Sequence, residues 1–268
     1  MPREVVDDRL IGAIHLRALT LAGLDHDPVE EHRAVQAGTI EALMAGDYDG
    51  DATLGELLRL GDTGIGTVQH LGGELIILDG VPWLIDADGA ISELSLDVRT
   101  PFAVVCLFRP EATFEITSTL DLASLLAQID EVAPPGSPIL ALRVHGSFRD
   151  LALRSVRRQH PPYPPLSEVV KDQTTFDLES AVGTLVGFRF PDATSGLEVP
   201  GYHLHFIDDE RRTGGHVMGL TLAEGTVEID HCETLHVELP PGVSLGSPGT
   251  VDRSSIDAVE GRLGEPAD

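Results

Sequence analysis

The stretch GYHLHFIDDERRTGGHVMGL, residues 201–220, carries three histidines whose spacing suits a metal ion: His203 and His205 stand two apart, and His216 follows eleven residues later. In a strand, positions i and i+2 project from one face, so the first two imidazoles point the same way. The polar run DDERRTGG between two apolar runs predicts a hairpin, and a register pairing position 205 with about 216 brings the third imidazole within about 5 Å by Cβ. Three neutral nitrogens on one face can chelate. A catalytic zinc site commonly has three protein ligands and leaves a fourth position for water or substrate. The plainer reading is three solvent-facing or packing histidines on adjacent strands. Imidazole suits Zn²⁺, Fe²⁺, Ni²⁺ and Mn²⁺, so ligand type alone does not choose the ion.

Other residues offer less. His-x-His followed by Glu210 resembles the first half of a cupin metal motif, the alternative that would make the chain a metal-dependent oxygenase, but Glu210 falls at the turn tip. A non-catalytic metal-binding domain is a further alternative. His160, His231 and His236 lack a partner sharing their face. GDTGIG at residues 61–66 is glycine-rich but has no Walker lysine, which excludes a P-loop. Lys171 is the single lysine, so Schiff-base chemistry would have to use it.

Composition narrows the partners. Eighteen Lys and Arg against 44 Asp and Glu leave a net charge of −26, a field that repels phosphate backbones and anionic lipid. Neither nucleic acid nor a membrane surface is expected as a partner, no apolar run is long enough to span a bilayer, and the start MPREVVDDRL does not read as a signal peptide. Two cysteines, Cys106 and Cys232, are too few for a disulfide framework. Together these predict a cytoplasmic protein.

The elements that must position the histidines read as a strand-rich α+β or α/β fold with mixed sheets, in two domains, with the metal site on a β-hairpin of the C-terminal half. Apolar positions Leu10, Ile14, Ala18 and Leu21 recur at helical spacing and predict an N-terminal helical extension over 1–33. A short helix is expected in VQAGTIEALMAG, and TLGELLRLG predicts another with Thr53 as N-cap and Glu56 completing a capping box. Short strands follow to residue 133, making 34–133 the first domain, with one helix in DLASLLAQID. PPGSP at 134–138 marks a boundary, and 139–240 forms the second domain. PPYPPL reads as a rigid extended crossing, and 241–268 as a loop-like tail ending in a short helical stretch.

Four blocks, TLGELLRLGDTGIGTVQHLGGELIILDG, TPFAVVCLF, RSVRRQHPPYPPLSEVVKDQ and GTLVGFRFPDATSGLEVPGYHLHFIDDERRTGGHVMGL, resemble alpha-acetolactate decarboxylase in the right order, from about residue 34 to 240. The resemblance implies a homodimeric zinc enzyme of acetoin biosynthesis, on the butanediol pathway, that converts the small anionic substrate 2-acetolactate to acetoin and CO₂. The family's zinc histidines fall on His203, His205 and His216, its active-site glutamate on Glu74 and its arginine on Arg154. A further glutamate comes from the tail, where Glu260 is chosen over Glu265. By themselves Glu74 reads as a solvated turn residue and Arg154 as one member of a basic surface cluster. The implied chemistry needs only an electrophile: 2-acetolactate is a β-keto acid, so loss of CO₂ pushes electrons into the ketone, and a metal would stabilise the enediolate as a Lewis acid.

Overall fold

The computed structural model describes residues 15–19, 31–133, 137–238 and 256. In chain order the strands are β1 (His15–Leu19), β2 (Arg33–Ala37), β3 (Ala52–Thr53), β4 (Thr63–Thr67), β5 (Glu74–Leu78), β6 (Val81–Ile85), β7 (Ile91–Glu93), β8 (Arg99–Thr100) and β9 (Ala103–Cys106). They continue as β10 (Ala112–Ile116), β11 (Leu120–Asp121), β12 (Ile139–Ser155), β13 (Thr174–Phe190), β14 (Gly201–Asp208), β15 (Gly214–Cys232) and β16 (Thr234–Glu238). The α-helices are α1 (Ile40–Met44), α2 (Leu54–Leu57), α3 (Leu122–Val132) and α4 (Leu166–Val169).

One sheet runs β1-β16-β2-β9-β4-β5-β6-β7 and is mixed: its first three strands are parallel and the rest antiparallel. The other runs β10-β15-β12-β13-β14 and is antiparallel. Its last strand turns back on β15, with His205 opposite His216, so β12, β13, β14 and β15 close into a ring. Closure removes free edges from the strands that carry the histidines.

The period of two sorts the side chains of the ring. Leu204 and Phe206 of β14 enter one apolar cluster with Leu125 of α3 and Phe148 of β12, and the Phe148 and Phe206 rings meet edge to face at 5.3 Å. Ile207 goes the other way, into a cluster shared with Ile76 and Ile85 of the first sheet. His203 and His205 have the parity of Ile207 and therefore face the first sheet. On β5, Ile76 and Leu78 lie in that shared cluster, so Glu74 at the strand's start shares their face. On β12, Leu151 and Leu153 line the ring's own cluster, which turns Arg154 toward the same gap between the sheets. Each large apolar side chain buried here contributes about 1.5–3 kcal/mol, so the facing of these strands is strongly specified.

Local signals in the sequence set several elements. Thr53 and Glu56 form the expected reciprocal capping box on α2. Asp121 caps α3 by accepting from the Ser124 amide, and Leu122, Leu125, Leu126 and Ile129 give that helix one buried stripe.

Other expectations need correction. Residues His15–Leu19 form β1, paired in parallel with β16, where helical spacing predicts a helix; the remainder of 1–30 lies outside the described residues. The helix expected from residue 34 begins only at Ile40, because Arg33–Ala37 are drawn into the sheet between β16 and β9. The runs HVMGLTL and TVEIDH form one continuous strand, β15. The sheets also ignore the division expected at 134–138: β10, from before it, pairs with β15, and β16, from after it, joins β2.

A glycine holds the backbone behind the histidines. A Cβ on Gly187, opposite Leu204, would lie 2.2 Å from the His203 carbonyl oxygen and 2.6 Å from Leu204 Cδ2. Gly187→Ala should lower stability by about 1–3 kcal/mol, the usual cost of overpacking. Gly219→Ala, whose Cβ would meet only Ala152 Cβ at 4.0 Å, should stay within about 0.5 kcal/mol of the parent. Urea denaturation midpoints check both, and equal midpoints for the two variants would contradict the packing argument.

Candidate metal centre

The three histidines predicted to share a face meet in the interior. His203, His205 and His216 are all buried, and each can offer a ring nitrogen such that the three lie within 4.8 Å of one another. Their ring centroids are separated by 5.0, 5.0 and 5.4 Å. His203 Nε2 and His205 Nε2 are 3.2 Å apart. Two ligands around a tetrahedral zinc ion at 2.0–2.1 Å stand about 3.3–3.4 Å from each other, so this spacing already suits an ion between them.

The tautomer of His205 follows from its second nitrogen. Nδ1 lies 3.0 Å from the Leu75 carbonyl oxygen, which can only accept, so Nδ1 carries the proton and donates. Nε2 is left with its lone pair directed at the cluster, an outer hydrogen bond of the kind that orients metal-binding imidazoles. His203 is held neutral: burial, then the nearby Arg154 guanidinium, push its pKa down to about 3. A neutral imidazole is the form that binds a metal. The donor set, its spacing and its protonation therefore fit a divalent ion.

The two other charged groups expected here arrive from different sheets. Glu74, buried at the start of β5, places Oε2 at 3.4 Å from His205 Nε2, again the spacing of neighbouring positions around one ion. It is no solvated turn residue. Arg154 of β12 is also buried, pairs in register with His216, and donates from Nη1 to Gln173 Oε1 at 3.2 Å. Its neighbours in the basic cluster, Arg157 and Arg158, are exposed. Glu74, Arg154 and His203 line a small cavity of about 30 Å³, together with Thr67 and apolar walls that include Phe102 and Leu166. That is room for about one water molecule beside the cluster.

The remaining candidates lie elsewhere. Glu210 is exposed beside the β14–β15 turn, paired with Arg212, and lines a wide open hollow of about 1120 Å³ that includes none of the three histidines. Lys171 is an exposed partner of Glu168. Glu260 falls outside the described residues. Gln173 and the Leu75 carbonyl, which hold Arg154 and His205, have no signal in the sequence, because each acts through a contact made only on folding. Leu166, which follows the PPYPP run, does reach the cavity wall.

Comparison with known proteins identifies the family. The family profile for alpha-acetolactate decarboxylase matches residues 35–244. A protein of that name from Methylococcus capsulatus is 43% identical over 211 residues, covering 79% of this chain and 81% of its own length. One from Methanosarcina mazei is 40% identical over 205 residues, covering 76% and 71%. The crystal structure of alpha-acetolactate decarboxylase from Bacillus subtilis strain 168 superposes with a TM-score of 0.81 at 34% identity, over 86% of this chain and 100% of that one. The profile match runs from β2 through β16, and the chain belongs to the alpha-acetolactate decarboxylase family.

Proposed function

We propose that this chain converts 2-acetolactate to acetoin and CO₂ at a zinc ion held by His203, His205 and His216, with Glu74 and Arg154 completing the site. The observation that carries this reading is the burial of three imidazoles at ligand spacing in the gap where Glu74 and Arg154 also meet. When bound, the ion would supply a Lewis acid for the oxyanion that grows as the carboxylate departs.

The protein's own groups do the rest. Arg154 brings a buried cation to an anionic substrate that the chain's overall charge would otherwise repel. Its planar fork suits either the leaving carboxylate or the enediolate oxygen. The two roles differ in kinetics, because a grip on the carboxylate weakens as neutral CO₂ leaves, whereas a contact with the enediolate strengthens toward the transition state. We assign the second role, since a cation that only held the carboxylate would oppose its departure. The apolar walls around Glu74 and Arg154 leave room for about one water molecule, and the weak screening strengthens both charges' influence on the reacting atoms.

The tail supplies the proton donor in this reading, as Glu260. Ile256 supports it: the residue is fully buried, in one apolar cluster with Leu43, Leu71, Phe102, Val156 and Leu166, all of which also line the cavity. An oxygenase of the cupin type gains nothing from the geometry, because the Glu210 it would need is exposed and paired with Arg212.

Steady-state acetoin formation from 2-acetolactate tests Arg154. Arg154→Ala should lower kcat by about 10²–10³ with a smaller change in KM, and Arg154→Lys should recover little, since an ammonium lacks the fixed fork. A large rise in KM at constant kcat would remove Arg154 from the enediolate.

Truncation after Gly242 should leave the histidine cluster folded and metal-binding, while turnover falls by about 10²–10⁴, the usual contribution of a positioned acid. Glu260→Gln, which keeps Ile256, should match it. Unchanged turnover in both proteins would take the tail out of the mechanism and leave Glu74 as the acidic candidate.

A further inference from the structure

A second group of metal-type ligands lies away from the triad. His32, just before β2, His231 on β15 and Glu111, just before β10, each offer one ligand atom, all within 4.8 Å of one another. The two imidazoles stack with centroids 4.6 Å apart and an interplanar angle of 20°. The Glu111 carboxylate reaches both rings: Oε1 is 3.7 Å from His32 Nε2, and Oε2 contacts His231 Nδ1. His231 Nε2 is 3.6 Å from Glu233 Oε1.

The setting behind His32 is built. Asp230, with a fully buried side chain, accepts from the Arg109 amide at 2.7 Å through Oδ2 and from His32 Nδ1 at 3.0 Å through Oδ1. With Nδ1 committed to a carboxylate, the lone pair of His32 sits on Nε2, facing Glu111. This is the carboxylate–histidine arrangement that fixes metal-binding imidazoles elsewhere. Asp230 and Glu111 together bring two carboxylates within reach of the His32 ring. The same anionic surroundings favour a cation. His32 also adopts φ 60°, a left-handed conformation that is uncommon outside glycine, to present its ring here.

We propose that His32, His231 and Glu111 form a second divalent-cation site, oriented by Asp230, that ties the first sheet to the second. Two imidazoles and one carboxylate are a recognised zinc ligand set. The site is open to solvent, since His32, His231 and Glu111 are all partly exposed, so an ion can enter without unfolding. Its role is structural: β2 belongs to one sheet and β10 and β15 to the other, so a single ion would link three separate stretches of chain. Sequence spacing gives no hint of it, because the ligands are 79 and 120 residues apart.

The full-length protein, stripped with a chelator and titrated with Zn²⁺ alone, tests the site by bound zinc per chain and by melting temperature. His231→Gln and Glu111→Gln should each lose one equivalent relative to the parent, and should lose the zinc-dependent rise in melting temperature that this equivalent causes. His216→Ala should keep that equivalent, which separates this site from the triad. Acetoin formation by His231→Gln, measured with zinc present, should stay within about twofold of the parent and thereby report correct folding. Zinc stoichiometry in the parent that is unchanged by both His231→Gln and Glu111→Gln would overturn the proposal. So would a melting temperature that responds to pH through this cluster but not to zinc, which would mean that a proton on His32 alone holds the carboxylates.

Discussion

Everything at the centre of this protein depends on keeping three imidazoles, a carboxylate and a guanidinium out of water in one gap between two sheets. Burial of such groups is costly unless they satisfy one another or a bound ion. The cost is met by position: His205 is oriented by a backbone carbonyl, Glu74 approaches it at 3.4 Å, and Arg154 is tied to Gln173. Burial, with the nearby Arg154 guanidinium, keeps His203 neutral, so the desolvation that makes the cluster expensive also readies that imidazole as a ligand.

The two sheets divide this work. The closed ring of β12, β13, β14 and β15 carries the three histidines and Arg154, and the pairing of His205 with His216 and of His216 with Arg154 fixes their relation within one hydrogen-bonded ladder. The first sheet contributes Glu74 and the Leu75 carbonyl from β5. A one-residue slip in β14 would send Leu204 and Phe206 into the gap and the histidines into the ring's apolar cluster. The apolar alternation that packs the ring is therefore the same feature that aims the chemistry.

What the sequence reveals follows from how local each feature is. The hairpin histidines are legible because strand periodicity and a polar turn together dictate a shared face, and the Thr53 and Glu56 capping box is legible because all its atoms lie within four residues. Arg154 and Glu74 carry no such signal and stand out only by family resemblance, and only folding sets Arg154 beside His216, 62 residues later in the chain. The stretch 15–19 becomes a strand because β16 offers it a partner, which outweighs the helical spacing of Leu10, Ile14, Ala18 and Leu21, and 33–37, where a second helix is expected to begin, is taken up between β16 and β9. The interleaving of early and late strands between the sheets is equally invisible to composition, which sees the Pro and Gly of 134–138 but not the pairing of β10 with β15 or of β16 with β2.

In the proposed reaction, decarboxylation runs at an ion held by His203, His205 and His216. Anomalous diffraction from crystals of zinc-loaded, acetoin-forming enzyme tests it most directly, because it locates the ion without reference to any variant. A peak about 2.0–2.1 Å from one nitrogen of each of the three imidazoles is the expected result. Fully active crystals with no anomalous density among those three rings would contradict it.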